Sequence, residues 1–330
     1  MGQKKVNELK VGSIITYINL IISTIIPLLY TPIMLRILGQ EEYGLYSLSN
    51  SVISYLTLLN FGFGTAIIRF ISKFRIEGDH DKIEGVTGLI LSIYGIIAIV
   101  VCIVGFLLTK GTGLFFGTGL TVNEIQRLKV LMIIMTVSTA ISFPVSVLSS
   151  VSVAYEKYIF RKMVDMIATI ATPILNLIVL FLGYASIGLA MIGLGIQLIY
   201  GIIFIWYCKQ KLNVVPRFKD MPFYMVKEIL GFSIYVFASS IIDMLYWATD
   251  KVLIGAVLGT VAVAVYNIGG TFTSMLQNMS SAISGVFGTR VNMMVFGNQP
   301  MEKLSELLIR IGRLQKRISE WVLCSAKFHS

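Results

Sequence analysis

The sequence predicts an all-α polytopic membrane protein with about eight transmembrane helices. Hydrophobic residues make up 56% of the chain, charged residues only 13%, and the mean hydropathy is +0.82. A soluble domain carries about 25% charged residues, so this chain has too little charge to coat a globular surface. Apolar stretches of about 20 residues or more recur between short polar connections, which is the length a helix needs to cross a bilayer. The net charge of +10 lies between those stretches, which argues for membrane topology and against nucleic acid.

The first span is Val11–Leu35, bent by Pro27 and Pro32, after a polar start with Lys4, Lys5 and Lys10. It is too long for a signal peptide and no small-x-small cleavage site follows. The second span is Leu45–Phe70, where Gly62 and Gly64 permit close approach or a kink. The following loop holds Asp79-His80-Asp81, a D-x-D pattern without an α/β domain around it and therefore a chance match. The third span is Gly85–Leu108. The glycine-rich segment 111–120 has no preceding strand and no GxxxxGK[ST], so it reads as a flexible external loop, and no means of using ATP is evident.

Spans four to six are Ile125–Val153, Met163–Leu182 and Ile187–Cys208. A basic connector, KQKLNVVPRFKDMP, is the clearest internal boundary. It divides the chain into a six-helix lobe (1–208), a linker (209–222), two helices (223–288) and a basic amphipathic tail (289–330) suited to a membrane surface. Span seven is 231–259 and span eight is Val261–Phe287, where Ser281/Gly285 and Ser284/Gly288 offer close packing. The ends and alternate connections carry 3, 4, 3, 5 and 7 Lys or Arg residues, against 1, 3, 0 and 1 for the others. Both termini are thus expected in the cytoplasm.

Three spans carry polar stripes at i, i+4, i+7, i+11. They are Asp165, Thr169, Thr172, Asn176; then Ser239, Asp243, Tyr246, Asp250; then Asn267, Thr271, Ser274, Asn278. A charge facing lipid costs roughly 2.5–3.5 kcal/mol on insertion scales, so these faces should look into protein or water. Converging, they would line a hydrated path of the kind transporters use. Ser and Thr alone more often serve helix packing, as on the Ser142, Ser146, Ser149 face. Asp165, Asn176, Asp243, Asn267 and Asn278 are too polar for that role. Asp250 and Lys251 read as residents of the headgroup zone. Three scattered cysteines and two separate histidines give no disulfide framework, metal site or cofactor site, and no acid pair is placed for glycosyl transfer, so an enzyme is not expected.

Four segments, in order, carry a resemblance: SIITYINLIISTIIPLLYTPIMLRILGQEEYGLYSL, FGFGTAIIRFISKFRIEGD, SFPVSVLSSVSVAYEKY and YWATDKVLIGAVLGTVAVAVYNIG. Together, from about residue 10 to about residue 312, they resemble the polysaccharide transporters, or oligosaccharide flippases, of the multidrug/oligosaccharidyl-lipid/polysaccharide exporter superfamily. The resemblance implies a first lobe like that of the multidrug and toxin extruders, MATE-like, plus the start of a second. It implies alternating access and translocation of a polyprenyl-pyrophosphate-linked oligosaccharide across the cell membrane, for capsule, O-antigen lipopolysaccharide or related polymers. Membrane lipids and surface-polysaccharide assembly proteins are the implied partners. Arg36, Arg69 and Lys251 are candidates for the pyrophosphate, because cations match it. Asp165, Asn176, Asp243, Tyr246, Asp250, Asn267 and Asn278 are candidates for the sugar. The segment KRISEWVLCSAKFHS does not resemble the ninth span expected there, so a truncated product, transporting only if chains pair, is expected. The alternatives are a cation-coupled drug or metabolite antiporter of the same superfamily and a non-transporting membrane protein. The first helix has no acid between Glu8 and Glu41, which favours the polysaccharide branch.

Overall fold

The protein is described from a computed structural model covering residues 29–61, 63–117, 119–219, 226–271 and 301–327, with scattered positions in 18–27 and 273–277. Among these residues the chain is all helical. The helices are α1 (Ile25–Leu38), α2 (Gln40–Ser54), α3 (Phe63–Glu77), α4 (His80–Phe116), α5 (Val122–Ala154), α6 (Tyr158–Phe181), α7 (Ala185–Lys211), α8 (Val226–Leu258), α9 (260–271) and α10 (Met301–Lys327). Helices α4, α5, α6 and α7 are each long and apolar enough to cross a bilayer. Their outward faces carry large apolar side chains, such as Ile99, Phe106, Ile178 and Ile202. That is the expected surface of a protein whose solvent is lipid. Asn278, the Ser281/Gly285 and Ser284/Gly288 pairs and residues 1–17 lie outside the described residues.

The second span is not one helix. A 3₁₀ turn, Tyr55–Asn60, ends α2, and Phe61 takes a left-handed conformation (φ 49) before α3 begins. The break removes helical donors from the Asn60 carbonyl. Tyr94, fully buried on α4, repairs this: its hydroxyl donates to the Asn60 carbonyl at 3.0 Å and also meets the Asn60 side chain. The Tyr94 ring lies 5.7 Å from both Phe63 and Phe143, so one side chain joins the break to α3, α4 and α5.

The glycine-rich segment also departs from expectation. Residues 111–116 continue α4, whose 37 residues rise roughly 55 Å, beyond the hydrocarbon thickness. Phe116 and Leu120 are buried, because the segment packs against the turn between α8 and α9. In the D-x-D segment, Asp79 is the N-cap of α4. Its carboxylate accepts the Lys82 N–H at 3.0 Å and pairs with the Lys82 ammonium at 2.8 Å. Lys82 holds the Asp79 carboxyl below the usual carboxylate range.

Contacts between connections follow the predicted topology. At one end, Arg75 of α3 donates to the Ala154 carbonyl at 3.1 Å. At the same end Arg217, in the basic connector, pairs with Asp81 at 2.8 Å and Glu84 at 3.3 Å. The backbone N–H of Arg217 also reaches the Glu84 carbonyl at 3.1 Å. These are connections rich in Lys and Arg, and this is called the basic end below. At the far end, Glu42 joins Arg127 and Ser186, and Glu124 joins Thr260 at 2.6 Å.

Gly88 and Gly95, both on α4, separate packing from propensity. A Cβ on Gly88 would lie 2.0 Å from the Arg217 carbonyl oxygen, whereas one on Gly95 meets nothing within 4 Å. Gly88→Ala is expected to cost about 1–3 kcal/mol and lower the melting temperature in detergent. Gly95→Ala is expected to leave it unchanged or raise it, by up to about 1 kcal/mol of helix propensity. Tyr94→Phe strands the Asn60 carbonyl and is expected to cost about 1–3 kcal/mol. Thermal unfolding followed by near-UV circular dichroism reads all three.

Candidate functional site

A cavity of ≈ 780 Å³ opens between α2, the 3₁₀ turn, α8 and α9. From α2 and the turn it takes Tyr43, Tyr46, Ser47, Asn50, Ser51, Ser54, Thr57 and Asn60; from α8, Ser240, Asp243, Met244, Ala248 and Lys251; from α9, Asn267. Met34, Leu58 and Phe61 complete the described lining, which thus mixes apolar surface with uncharged hydrogen-bonding groups and, among the described residues, one acid and one base.

Each wall has a local cause. Tyr43, Ser47, Asn50 and Ser54 recur at i, i+4, i+7, i+11, so one face of α2 is polar while Leu45, Leu48 and Val52 are buried elsewhere in the bundle. Ser51, Ser54 and Thr57 donate their hydroxyl protons to their own helix three or four residues back. Their oxygens remain acceptors. Asn267 donates from Nδ2 to the Tyr43 hydroxyl at 2.6 Å, which joins α9 to α2 across the cavity. On the α8 side, Ser54 Oγ lies 3.4 Å from Met244 Sδ, and the Tyr55 hydroxyl lies 2.9 Å from Thr249 Oγ1. Phe61 also lines the cavity, and its ring stands 4.6 Å from that of Phe237.

The structure brings together Asp243, Lys251 and Asn267. The other described sequence candidates lie elsewhere, and Asn278 is outside the described residues. The face of α8 that lines the cavity is Ser240, Met244, Ala248 and Lys251, with Asp243 at its edge. The expected Ser239, Asp243, Tyr246, Asp250 face lies about one residue, or 100°, around the helix. Tyr246 accordingly points outward and is 71% exposed. Asp250 is exposed and accepts a 2.5 Å hydrogen bond from the Tyr266 hydroxyl. Lys251, read from sequence as a headgroup residue, is half-buried on the cavity wall.

Asp165 sits between α6 and α7, where it accepts from the Tyr200 hydroxyl and lies 3.9 Å from Arg161. Asn176 is buried at the contact of α6 with Tyr30 of α1, and neither the Tyr30 hydroxyl nor Asn176 Oδ1 has a hydrogen bond of good geometry. Thr169 and Thr172 bond back to the Asp165 and Ala168 carbonyls of their own helix. Arg36 and Arg69 are exposed, on the last turn of α1 and on α3, and neither lines the cavity. Among the described residues no group of three or more His, Cys, Asp or Glu could hold a metal ion.

Sequence reasoning missed the α2 wall, although its signal is the same stripe period used for the other three helices. It also missed Glu124, whose capping box with Thr121 is a T-x-x-E pattern legible before an apolar run.

A cysteine scan tests the geometry. In a chain whose native cysteines are replaced by serine, Asn50→Cys is expected to react with a water-soluble maleimide. Ile178→Cys, on the lipid-facing side of α6, is expected to react at least about tenfold more slowly, because lipid excludes the thiolate.

The sequence profile of the family described as polysaccharide biosynthesis protein matches residues 9–287. No curated protein matches the chain by sequence. Among solved structures, the chain is similar to an inward-facing multidrug resistance MATE family transporter of the MOP superfamily, with TM-score 0.71 and 17% identity, covering 92% of this chain and 72% of that one. It is similar to a MATE in complex with MaD3S, with TM-score 0.64 and 17% identity over 95% of this chain and 72% of that one. It is also similar to a MOP superfamily transporter from Pyrococcus furiosus, with TM-score 0.63 and 18% identity over 84% of this chain. The chain spans 64% of the length of that transporter. These likenesses establish the fold, a MATE-like bundle in the membrane. The profile match covers most of the sequence, and on that ground this protein belongs to the polysaccharide biosynthesis protein family.

Proposed function

We propose that this protein takes part in moving a lipid-linked oligosaccharide across the cell membrane, with the glycan held in the cavity between α2, α8 and α9. The observation that carries this reading is the lining. Hydroxyl and amide groups line it beside Met34, Leu58, Phe61 and Met244, Asp243 and Lys251 offset each other in charge, and the volume of ≈ 780 Å³ suits several sugar rings. Sugar hydroxyls both donate and accept, and Asn50, Asn60, Asn267, Tyr43 and Tyr46 offer both. Among the described residues Lys251 is the cation on the wall and the candidate for the pyrophosphate. Arg36 and Arg69 act as interfacial anchors on this reading, with their apolar stems against lipid. The basic end faces the cytoplasm, as the lysine and arginine bias favours. The family and the fold are those of carriers rather than catalysts, and no chemistry on the glycan is proposed.

The test is reconstitution in vesicles with a fluorescent polyprenyl-pyrophosphate oligosaccharide, read by quenching of the outer leaflet. Protein-dependent translocation is expected. Asn50→Leu and Asn267→Leu should each slow it about 3–10-fold, the loss of one hydrogen bond. A rate equal to that of protein-free vesicles would overturn the reading. Asp243, as the cavity's carboxylate, favours the second reading, a cation-coupled antiporter. Dye efflux driven by protons or sodium, and lost in Asp243→Asn, would replace the first reading with that one.

A further inference from the structure

We propose that the turn joining α8 to α9 is a gate that closes the far end of the cavity, with the Thr260–Glu124 hydrogen bond as its latch. The inference rests on the transport reading above and adds the moving part.

The turn is plugged into the bundle. Thr260 is 4% exposed, and Val263 and Ala264 are fully buried. Part of its contact with the bundle is backbone against backbone. A Cβ added at Gly44 of α2 would lie 2.0 Å from the Thr260 carbonyl oxygen. One added at Gly119 would lie 2.8 Å from the carbonyl oxygens of both Gly255 and Ala256. Gly259 holds a left-handed φ of +83 and approaches the Gly119 carbonyl in the same way. Beside these backbone contacts, Val263 and Ala264 enter the apolar core and the Leu48 side chain backs onto Gly255, so the closed turn is held by packing as well as by its latch.

One side-chain bond spans the seam. Thr260 Oγ1 donates to Glu124 Oε1 at 2.6 Å. The second oxygen of Glu124 accepts from the Thr121 backbone N–H at 2.7 Å and the Thr121 hydroxyl at 2.8 Å. Both Thr121 donors belong to the same helix start as Glu124 and stay with it if the turn withdraws. Withdrawal of Thr260 therefore takes one hydrogen bond from Glu124 and leaves the carboxylate still capped by Thr121 at the moment water arrives. A latch must be strong enough to hold and weak enough to release; a single net hydrogen bond meets both demands.

The seam also sits where a gate is useful. The helices that meet in it, α2, α8 and α9, are those that line the cavity. Lys251 lies two turns below the seam on α8, and Asn267 lies two turns below it on α9. At the basic end, by contrast, Arg217 and its backbone strap the connector to α4.

Ala264→Cys, in the chain without native cysteines, is the reporter. With Glu124 intact it should react slowly with a membrane-impermeant maleimide. Glu124→Ala should speed the reaction at least about tenfold, while Glu124→Gln, which keeps an acceptor for Thr260, should stay near the parent. Equal rates in all three overturn the gate, as does equal acceleration by the stability variant Gly88→Ala. In a second experiment, a Glu124→Cys/Thr260→Cys pair is bridged by a short, reducible bis-thiosulfonate. Translocation should stop on bridging and return on reduction, and undiminished translocation by the bridged pair overturns the gate. A pair that fails to translocate before bridging counts against the transport reading alone, since labelling at position 264 judges the gate without it.

Discussion

Hydrocarbon cannot hydrate a polar group, and most of this structure follows from that constraint. Every polar side chain brought into the bundle must find protein or open a wet space. Serine and threonine meet the demand locally: Ser49, Thr87, Thr109 and Thr169 donate to carbonyls four residues back on their own helices. The Asn60 carbonyl, freed by the break before α3, is met by Tyr94. Asp165 is met by Tyr200 and Arg161, and Glu42 by Arg127 and Ser186. After these pairings the remaining amides and hydroxyls of α2, α8 and α9 converge on one cavity.

The break in the second span makes that convergence possible. A continuous helix from Gln40 to Glu77 would carry α2's polar face straight through the bundle. The 3₁₀ turn and the left-handed Phe61 redirect the chain, and they bring Thr57 and Asn60 onto the wall beside Ser54. The large core cluster that runs through α3, α4 and α5, with Ile67, Ile71, Leu89, Leu131 and Val147, fixes the rest of the first half so that this redirection is stable. One local irregularity on a well-packed scaffold thus shapes a binding space, which is how close-packed interiors accommodate function.

Much of the fold was legible in the sequence because a bilayer imposes a one-dimensional rule. Long apolar runs gave the spans, and the bias of lysine and arginine grouped the connections by side; the Arg217–Glu84 and Glu42–Arg127 contacts join only connections grouped together. The candidate site was legible in part. Asp243, Lys251 and Asn267 were reached because charge or amide in a span is costly. Helical phase was not given by the stripe on α8, since the more regular polar row begins at Ser239 while the row that lines the cavity, one residue on, carries Met244 and Ala248. Packing against Ser54 and Tyr55 chose the second row. Asp165 could not be assigned from its own helix, because its partner Tyr200 lies 35 residues on. The helical end of the glycine-rich segment was hidden for a related reason: glycine lowers helix propensity, but tertiary contact with the α8–α9 turn outweighs it.

The placement of the two charges on α8 carries the argument one step further. Asp243 and Lys251 are eight residues apart, so about 12 Å of helix rise separates them. Facing lipid, each would cost roughly 2.5–3.5 kcal/mol on insertion scales. On the wall of an open cavity Asp243 is exposed and Lys251 is half-buried, so both reach water rather than lipid. The wall is therefore wet before any ligand arrives, and a ligand gains only where it replaces those waters with equally good partners. A flat cationic drug would leave Lys251 and the amides unserved. On the proposed reading, a row of sugar hydroxyls with an anion at the Lys251 end would replace that water between Asn60 and Asn267.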